Sequence, residues 1–175
     1  MPFFSLTPDL VTGIKVIDEQ HGELLDIANE VVAASDQALH PDLFDLALSF
    51  LVGYTAYHFA AEELVMAKVG YPGHSHHADI HNRLREKVVA IVVRVRRQGP
   101  NQQSKIDMVQ LLEDWVVLHV RESDREFARF VREQLIDLSA VTLPTVDALK
   151  CCGSLAIDFD ERFATGIAGL LSGQR

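Results

Sequence analysis

Histidine and carboxylate side chains recur at helical spacing in four separate stretches of the chain. They are His21 in the first stretch, His58 and Glu62 in the second, His77 and His81 in the third, and His119 and Asp124 in the fourth. Residues four apart lie on the same face of a helix, so each such pair can point at a single place. Apolar residues flank all four stretches, which predicts that these seven side chains are buried.

Five imidazoles and two carboxylates are costly to bury in an apolar interior, and a metal ion offsets that cost. Imidazole nitrogen suits iron, zinc, copper or nickel, while carboxylate oxygen favours harder ions such as iron and manganese. Seven ligands are too many for one ion of ordinary coordination number. The set therefore predicts two metal ions that share bridging carboxylates, a kind of site that four-helix bundles hold in their core.

The elements that carry these residues are predicted to be four helices, because apolar residues recur at intervals of three and four along most of the chain. The predicted helices cover residues 16–34, 41–68, 75–97 and 104–135. Pro41 suits a first helical position, and Ser104 suits an N-cap. No stretch shows the sustained alternation of a strand. Long helices joined by short loops predict an all-α fold, an antiparallel up-down-up-down four-helix bundle.

One spacing does not fit an ideal α-helix. His119 and Asp124 are five residues apart, which is ~140° around a helix that turns ~100° per residue. Both side chains reach one site only where the helix is locally wide. We therefore expect a π-type turn near residues 119–124, a feature that is frequent at functional sites.

The chain divides into two predicted regions. Residues 1–138 form the bundle, and residues 139–175 form a C-terminal extension that consists of a linker and a short amphipathic helix. The predicted helix of the extension is marked by apolar residues at helical intervals, namely Phe159, Phe163, Ile167 and Leu170.

Composition excludes several classes of function. The chain has 16 basic and 25 acidic residues, and its one small arginine cluster lies at 94–97, so no nucleic-acid partner is expected. The longest uncharged stretch, 46–61, is shorter than the ~18 residues of a membrane span, so no membrane is expected either. The two cysteines are adjacent and cannot staple a fold, which fits a reducing cytoplasm.

His40, His74 and His76 fall in or beside predicted loops and are expected to be solvated.

Taken together, these features resemble the hemerythrin family, specifically its bacterial single-domain form. The resemblance covers about residues 3–135. It rests on Thr-Gly-Ile-Lys-Val-Ile-Asp-Glu-Gln-His at 12–21, Tyr-His-Phe-Ala-Ala-Glu-Glu at 57–63, Gly-Tyr-Pro at 70–72, His77-x-x-x-His81 and Trp115-x-x-x-His119-x-x-x-x-Asp124. One departure is Leu6, which stands where the family usually carries tryptophan. This position is expected to be remote from the ligands and to change function little.

The resemblance implies a non-haem di-iron site that binds O₂ reversibly for storage, delivery or sensing, in a protein that is not an enzyme. The implied ligands of one iron are His77, His81 and His119, and those of the other iron, which keeps an open position, are His21 and His58. Glu62 and Asp124 would bridge the two ions together with an oxo or hydroxo group. The apolar residues beside these ligands are expected to form the O₂ pocket; they are Leu24, Phe59, Trp115, Val116 and Val120.

Two other functions stand as alternatives. A di-iron oxidoreductase acting on peroxide or nitric oxide would use a similar ligand set, with Tyr54 and Tyr57 as the only nearby candidates for a proton or electron donor. An interaction module responsive to O₂ or redox state would signal through residues 139–175, by self-association or by contact with a protein partner. In that case Cys151 and Cys152 are candidates for a redox-sensitive contact.

Overall fold

The computed structural model describes residues 3–36, 41–99, 101–138 and 141. Within these residues the chain forms helices and no strand. The helices are α1 (Lys15–Asp36), α2 (Pro41–Lys68), α3 (His74–Gln98), α4 (Gln102–Glu113), a π-helix (Asp114–Asp124) and α5 (Arg125–Glu133). The predicted C-terminal extension, including its two cysteines, lies outside the described residues except for Val141.

The last three segments follow one another without a break and together make the fourth helix of the bundle, residues 102–133. Each helix packs against the next in sequence, and α1 also packs against α4, so the ring of helices closes. The short connections make neighbouring helices antiparallel. The predicted all-α four-helix bundle is therefore confirmed. None of the helices in the described ranges combines the length and the apolar run that crossing a membrane requires.

The helix ends follow local chemistry. Gly70 after α2 and Gly99 after α3 have φ angles of 65° and 75°, which glycine adopts with little strain. The fourth helix begins with a capping box: Asn101 Oδ1 accepts from Ser104 N at 2.9 Å, and Ser104 Oγ accepts from Asn101 N at 2.8 Å. Ser104 is therefore the third helical residue, and Asn101 is the N-cap in its place.

Two of the histidines that were expected in or beside loops lie in the first turn of α3. His76 is exposed, as expected, whereas His74 is half-buried. The helix begins at residue 74, one residue earlier than the spacing predicted, which brings His74 into it; the predicted range 75–97 already contained His76. His40 lies outside the described residues.

Two apolar clusters fill the bundle on either side of a polar layer. On α1, Ile17 belongs to the smaller cluster and Leu24 to the larger one, and His21 lies between them. The same order holds on the fourth helix, where Leu112 belongs to the larger cluster and Phe127 to the smaller. The predicted metal ligands thus occupy a layer that is closed by apolar packing at both ends.

Residues 3–14 precede α1 and form what we call the N-terminal arm. Phe4 N donates to Asn29 Oδ1 at 2.8 Å, and Phe4 O accepts from Asn29 Nδ2 at 2.9 Å. Further along the arm, the Asp9 carboxylate pairs with Arg121 of the π-helix. The arm is therefore attached both to α1 and to the fourth helix.

Candidate metal centre

The structure brings the seven predicted ligands together in one buried layer. None of these side chains is more than 3% exposed. They form two groups that share both carboxylates. The first group contains His77, His81, His119, Glu62 and Asp124, and the second contains His21, His58, Glu62 and Asp124.

The three-histidine group converges on one point. Nε2 of His81 lies 3.1 Å from Nε2 of His77 and 3.0 Å from Nε2 of His119. Asp124 Oδ1 lies 3.1 Å from Nε2 of His77 and 3.1 Å from that of His119. Glu62 Oε2 lies 3.2 Å from Nε2 of His81. Three imidazole nitrogens and two carboxylate oxygens therefore surround a space of the size that a cation fills.

The two-histidine group is more open. Nε2 of His21 lies 3.2 Å from Asp124 Oδ2 and 3.9 Å from Glu62 Oε1, and Nε2 of His58 lies 3.7 Å from the same glutamate oxygen. Each carboxylate thus turns one oxygen towards the three-histidine group and the other towards the two-histidine group. The arrangement has two unequal sides that are joined by the same two carboxylates.

Many of these donor atoms have no hydrogen-bond partner within the described part of the chain. They include Nε2 of His21, Nε2 of His58, and all four carboxylate oxygens of Glu62 and Asp124. Buried polar atoms without partners are rare in native proteins because each one costs free energy. A pair of cations would satisfy them together. Mixed imidazole and carboxylate donors suit iron, so the residues present fit a di-iron group.

Burial and negative charge act in opposite directions on the histidines. Burial lowers the pKa of His58 to about 3, which keeps its imidazole neutral. Burial also disfavours the charged form of His77, but the carboxylates of Asp124 and Glu62 outweigh it and raise the pKa of His77 to about 9. In a metal-free protein, a proton on His77 therefore compensates part of the carboxylate charge, and a metal ion must displace it.

The π-helix Asp114–Asp124 brings His119 and Asp124 to the same side of the fourth helix. Its hydrogen bonds join residues five apart, so side chains at this spacing are aligned. The π-type turn predicted from the spacing is confirmed. It is longer than predicted, because it begins at Asp114 rather than near residue 119.

Polar residues that the sequence analysis did not single out hold the ligand rings in place. Gln20 Oε1 lies 3.0 Å from His58 Nδ1, and Glu63 Oε1 lies 2.8 Å from His81 Nδ1. The same Glu63 oxygen accepts from Arg85 Nη2 at 2.8 Å. A partner on Nδ1 fixes the ring and leaves Nε2 to face a metal. The sequence could have indicated both residues, because Gln20 and Glu63 each adjoin a predicted ligand.

Phe59 packs on the three-histidine side. Its ring stacks on His81, with centroids 3.9 Å apart and planes 9° from parallel. It meets Trp115 edge to face at 5.7 Å, and the Arg85 guanidinium lies 5.2 Å from its centroid. These contacts hold the His81 ring from a second direction.

A small apolar cavity of about 10 Å³ adjoins the two-histidine side. Its lining consists of Leu6, Leu10, His21, Leu24, Leu25, Trp115 and Val120. A volume of this size holds about one small molecule. Among the predicted pocket residues, the structure places Leu24, Trp115 and Val120 in this lining but not Phe59. The side chain of Val116 lies outside the described part of the structure.

The expectation that Leu6 lies far from the ligands is wrong. Leu6 lines the same cavity as His21 and Trp115. The physical reason is the path of the N-terminal arm, which crosses from α1 to the fourth helix and lays its apolar residues against the bundle.

The two tyrosines near the site do not line this cavity. The Tyr54 hydroxyl donates to the Glu23 carboxylate, and the rings of Tyr54 and Tyr57 lie 5.6 Å apart. Burial, together with the neighbouring Glu23 carboxylate, raises the pKa of Tyr54. This hydroxyl therefore keeps its proton and is engaged away from the cavity.

Comparisons with known proteins agree with this geometry. The family model described as the hemerythrin HHE cation binding domain matches residues 12–131. The bacteriohemerythrin of Pseudomonas aeruginosa (strain LESB58) is 32% identical over 130 residues, which cover 74% of this chain and 82% of the relative. The bacteriohemerythrin of Stenotrophomonas maltophilia (strain R551-3) is 30% identical over 127 residues, covering 73% of this chain and 80% of the relative.

The fold is also that of a solved hemerythrin. The crystal structure of a hemerythrin mutant superposes with a TM-score of 0.66 at 22% sequence identity, covering 74% of this chain and 97% of that one. The family model spans more than half of this chain and includes all seven predicted ligands. The chain therefore belongs to the hemerythrin family.

Proposed function

We propose that this chain is a non-haem di-iron protein that binds O₂ reversibly for storage, delivery or sensing. One observation carries the proposal: the two sides of the candidate metal centre have different numbers of histidines, and the apolar cavity lies against the two-histidine side. An ion with fewer protein ligands keeps a position for a small molecule. The cavity offers that molecule an apolar space beside it.

In this proposal the seven residues divide between two iron ions. His77, His81 and His119 would hold one ion, His21 and His58 would hold the other, and Glu62, Asp124 and an oxo or hydroxo group would be shared between them. The two carboxylates support the bridge, because each turns one oxygen to each group of histidines. Two carboxylates and a hydroxide would also offset most of the charge of two ferrous ions, which lowers the free-energy cost of burying the centre.

Iron at this site would supply the electrons that O₂ takes up on binding and returns on release. The protein supplies orientation and dryness. Gln20 and Glu63 hold the rings of His58 and His81. Leu24 and the other apolar residues of the lining exclude water from the cavity. Both effects favour release of O₂ in its original form.

An oxidoreductase acting on peroxide or nitric oxide is the less favoured alternative. Such an enzyme needs a group that delivers protons to the reacting molecule. Among the described residues that line the cavity, His21 is the only titratable one, and the proposal uses it as a ligand. Tyr54 is engaged by Glu23. The surroundings of the cavity therefore favour binding over turnover.

Iron content and a visible spectrum test the proposal. The purified, iron-loaded protein should contain two iron ions per chain, and its reduced form should gain an absorption band in air and lose it under argon. His77→Ala should lose iron, whereas His76→Ala, which removes a neighbouring exposed histidine, should not. One ion per chain in a fully loaded sample would contradict the di-iron site. Sustained consumption of peroxide or nitric oxide with no reversible band would favour the oxidoreductase.

A further inference from the structure

Leu6 lies between the cavity and the solvent. Its side chain lines the cavity, yet it is 38% exposed, whereas Leu24 and Trp115 in the same lining are 2% and 3% exposed. A side chain that meets both the cavity and water marks the thinnest part of the wall. Leu10 of the same arm also lines the cavity but is buried, so solvent meets the wall at Leu6.

The N-terminal arm holds Leu6 by contacts on both sides of it in sequence. Before it, the backbone of Phe4 is paired with the Asn29 side chain of α1. After it, Asp9 forms an ion pair with Arg121 of the π-helix. That ion pair is about half exposed, and exposed pairs are weak and screened by salt. The wall at Leu6 is therefore held in place by side-chain contacts of the arm with α1 and the fourth helix, and not by the backbone hydrogen bonds of a helix.

We propose that Leu6 controls the rate at which water and small anions reach the two-histidine side of the centre, and so acts as a selectivity residue of the cavity. This inference rests on the proposed function, in which O₂ occupies the cavity. O₂ passes an apolar side chain without losing hydrogen bonds, whereas water or an anion must give up hydration. The barrier therefore depends on how completely the side chain at this position fills the wall.

Azide entry measures this barrier, because a small anion that binds ferric iron changes the visible spectrum. Stopped-flow mixing of azide with the oxidised, iron-loaded protein gives the association rate constant. We expect Leu6→Ala to raise that rate constant about tenfold, since it removes the apolar obstacle and its desolvation cost. We expect Leu6→Phe to lower it. Val11→Ala is the matched control, because Val11 lies on the same arm, is 41% exposed and does not line the cavity.

Trp115 gives a second readout that does not involve iron. It is the only tryptophan in the chain and it lines the cavity. In the full chain loaded with zinc, which suits the same donors without quenching fluorescence, iodide quenching of Trp115 reports access to the cavity. We expect Leu6→Ala to raise the quenching constant at least about twofold, because access no longer waits for local opening. Leu6→Phe and Val11→Ala should leave it at or below the parent value.

The results separate this inference from the proposed function. Equal azide rates and equal quenching in the parent and Leu6→Ala would overturn the inference. An equal rise in Val11→Ala would overturn it too, because it would indicate a loosened arm rather than an opened wall. If Leu6→Ala does not fold, an unchanged azide rate in Leu6→Phe is sufficient to overturn it. Failure of the parent to bind O₂ reversibly would refute the proposed function, and Trp115 quenching would still decide the role of Leu6.

Discussion

Leu24 is a buried part of the cavity wall, one helical turn after His21. We predict that Leu24→Ser still binds O₂ but autoxidises faster than the parent. Autoxidation would release the bound O₂ as hydrogen peroxide, with two electrons supplied by the proposed iron pair and two protons supplied by solvent. A dry wall withholds those protons, and a serine hydroxyl admits the water that carries them.

The size of the effect follows from one added hydrogen bond. A water held by the serine hydroxyl gains about 1 to 1.5 kcal/mol net. A barrier lowered by about 1.4 kcal/mol raises a rate tenfold, so we expect autoxidation to be about tenfold faster. The same substitution removes a fully buried leucine and should lower the free energy of unfolding by about 3 to 5 kcal/mol. A control for that loss of stability is therefore necessary.

Leu48→Ser is the matched control. Leu48 belongs to the same apolar cluster as Leu24 and is fully buried, but it does not line the cavity. It should lose similar stability and autoxidise at the parent's rate. The assay is the decay of the oxygenated spectrum in air-saturated buffer, with iron content and melting temperature measured on each protein. If Leu24→Ser autoxidises no faster than Leu48→Ser, Leu24 is not the water barrier and the reasoning fails.

Three further predictions concern the centre itself. Removing the metal should lower the melting temperature, because it leaves buried carboxylates unpaired; calorimetry of loaded and metal-free protein checks this. Glu62→Gln should lose iron, whereas Glu63→Gln should keep both ions and bind them about tenfold more weakly through a less constrained His81, as chelator titration would show. The gap in melting temperature between loaded and metal-free protein should widen as the pH rises from about 6.5 to about 9. The folded metal-free protein raises the pKa of His77 from 6.5 to about 9, so protonated His77 stabilises it fully below about pH 6.5. This contribution to the stability of the metal-free protein is lost as the pH rises through about 9.

Each of these expectations has an opposite that would count against it. Equal melting temperatures would mean that the buried carboxylates need no cation. Two ions retained by Glu62→Gln and lost by Glu63→Gln would show that the face of α2 is assigned wrongly. A gap that stays constant across the pH range would show that His77 carries no proton in the metal-free protein.

The convergence of the seven side chains could be predicted from sequence, because helix geometry ties spacing to position. The predicted ends of α2 coincide with Pro41 and Lys68, and the four-residue spacing of His58 and Glu62 puts both on one face of this helix. The five-residue spacing of His119 and Asp124 was informative for the same reason, since only a wide turn aligns them.

The N-terminal arm could not be placed in this way. Residues 3–14 carry no helical period, and so no local rule relates Leu6 to His21. The arm is positioned by long-range contacts such as Asp9 with Arg121, which are 112 residues apart. The start of the fourth helix was also predicted inexactly, because two neighbouring residues have side chains that can cap a helix. Asn101 and Ser104 both suit an N-cap, and the structure decides between them because the helix begins at Gln102 and the backbone of Asn101 is extended, with φ −145° and ψ 171°.

The buried face of the fourth helix does not follow one helical period along its whole length. Leu112, Trp115 and His119 are buried at intervals of three and four, and a further interval of seven falls on Glu126. Yet Glu126 is exposed, and Phe127 beside it is fully buried. The π-helix has absorbed one residue between the two halves. Winding the same residues as an uninterrupted α-helix would carry Glu126 into the smaller apolar cluster and turn Phe127 out to solvent. The buried faces of the two halves must therefore be drawn on separate helical wheels. The change from one face to the other occurs in the π-helix, which carries His119 and Asp124 of the candidate metal centre.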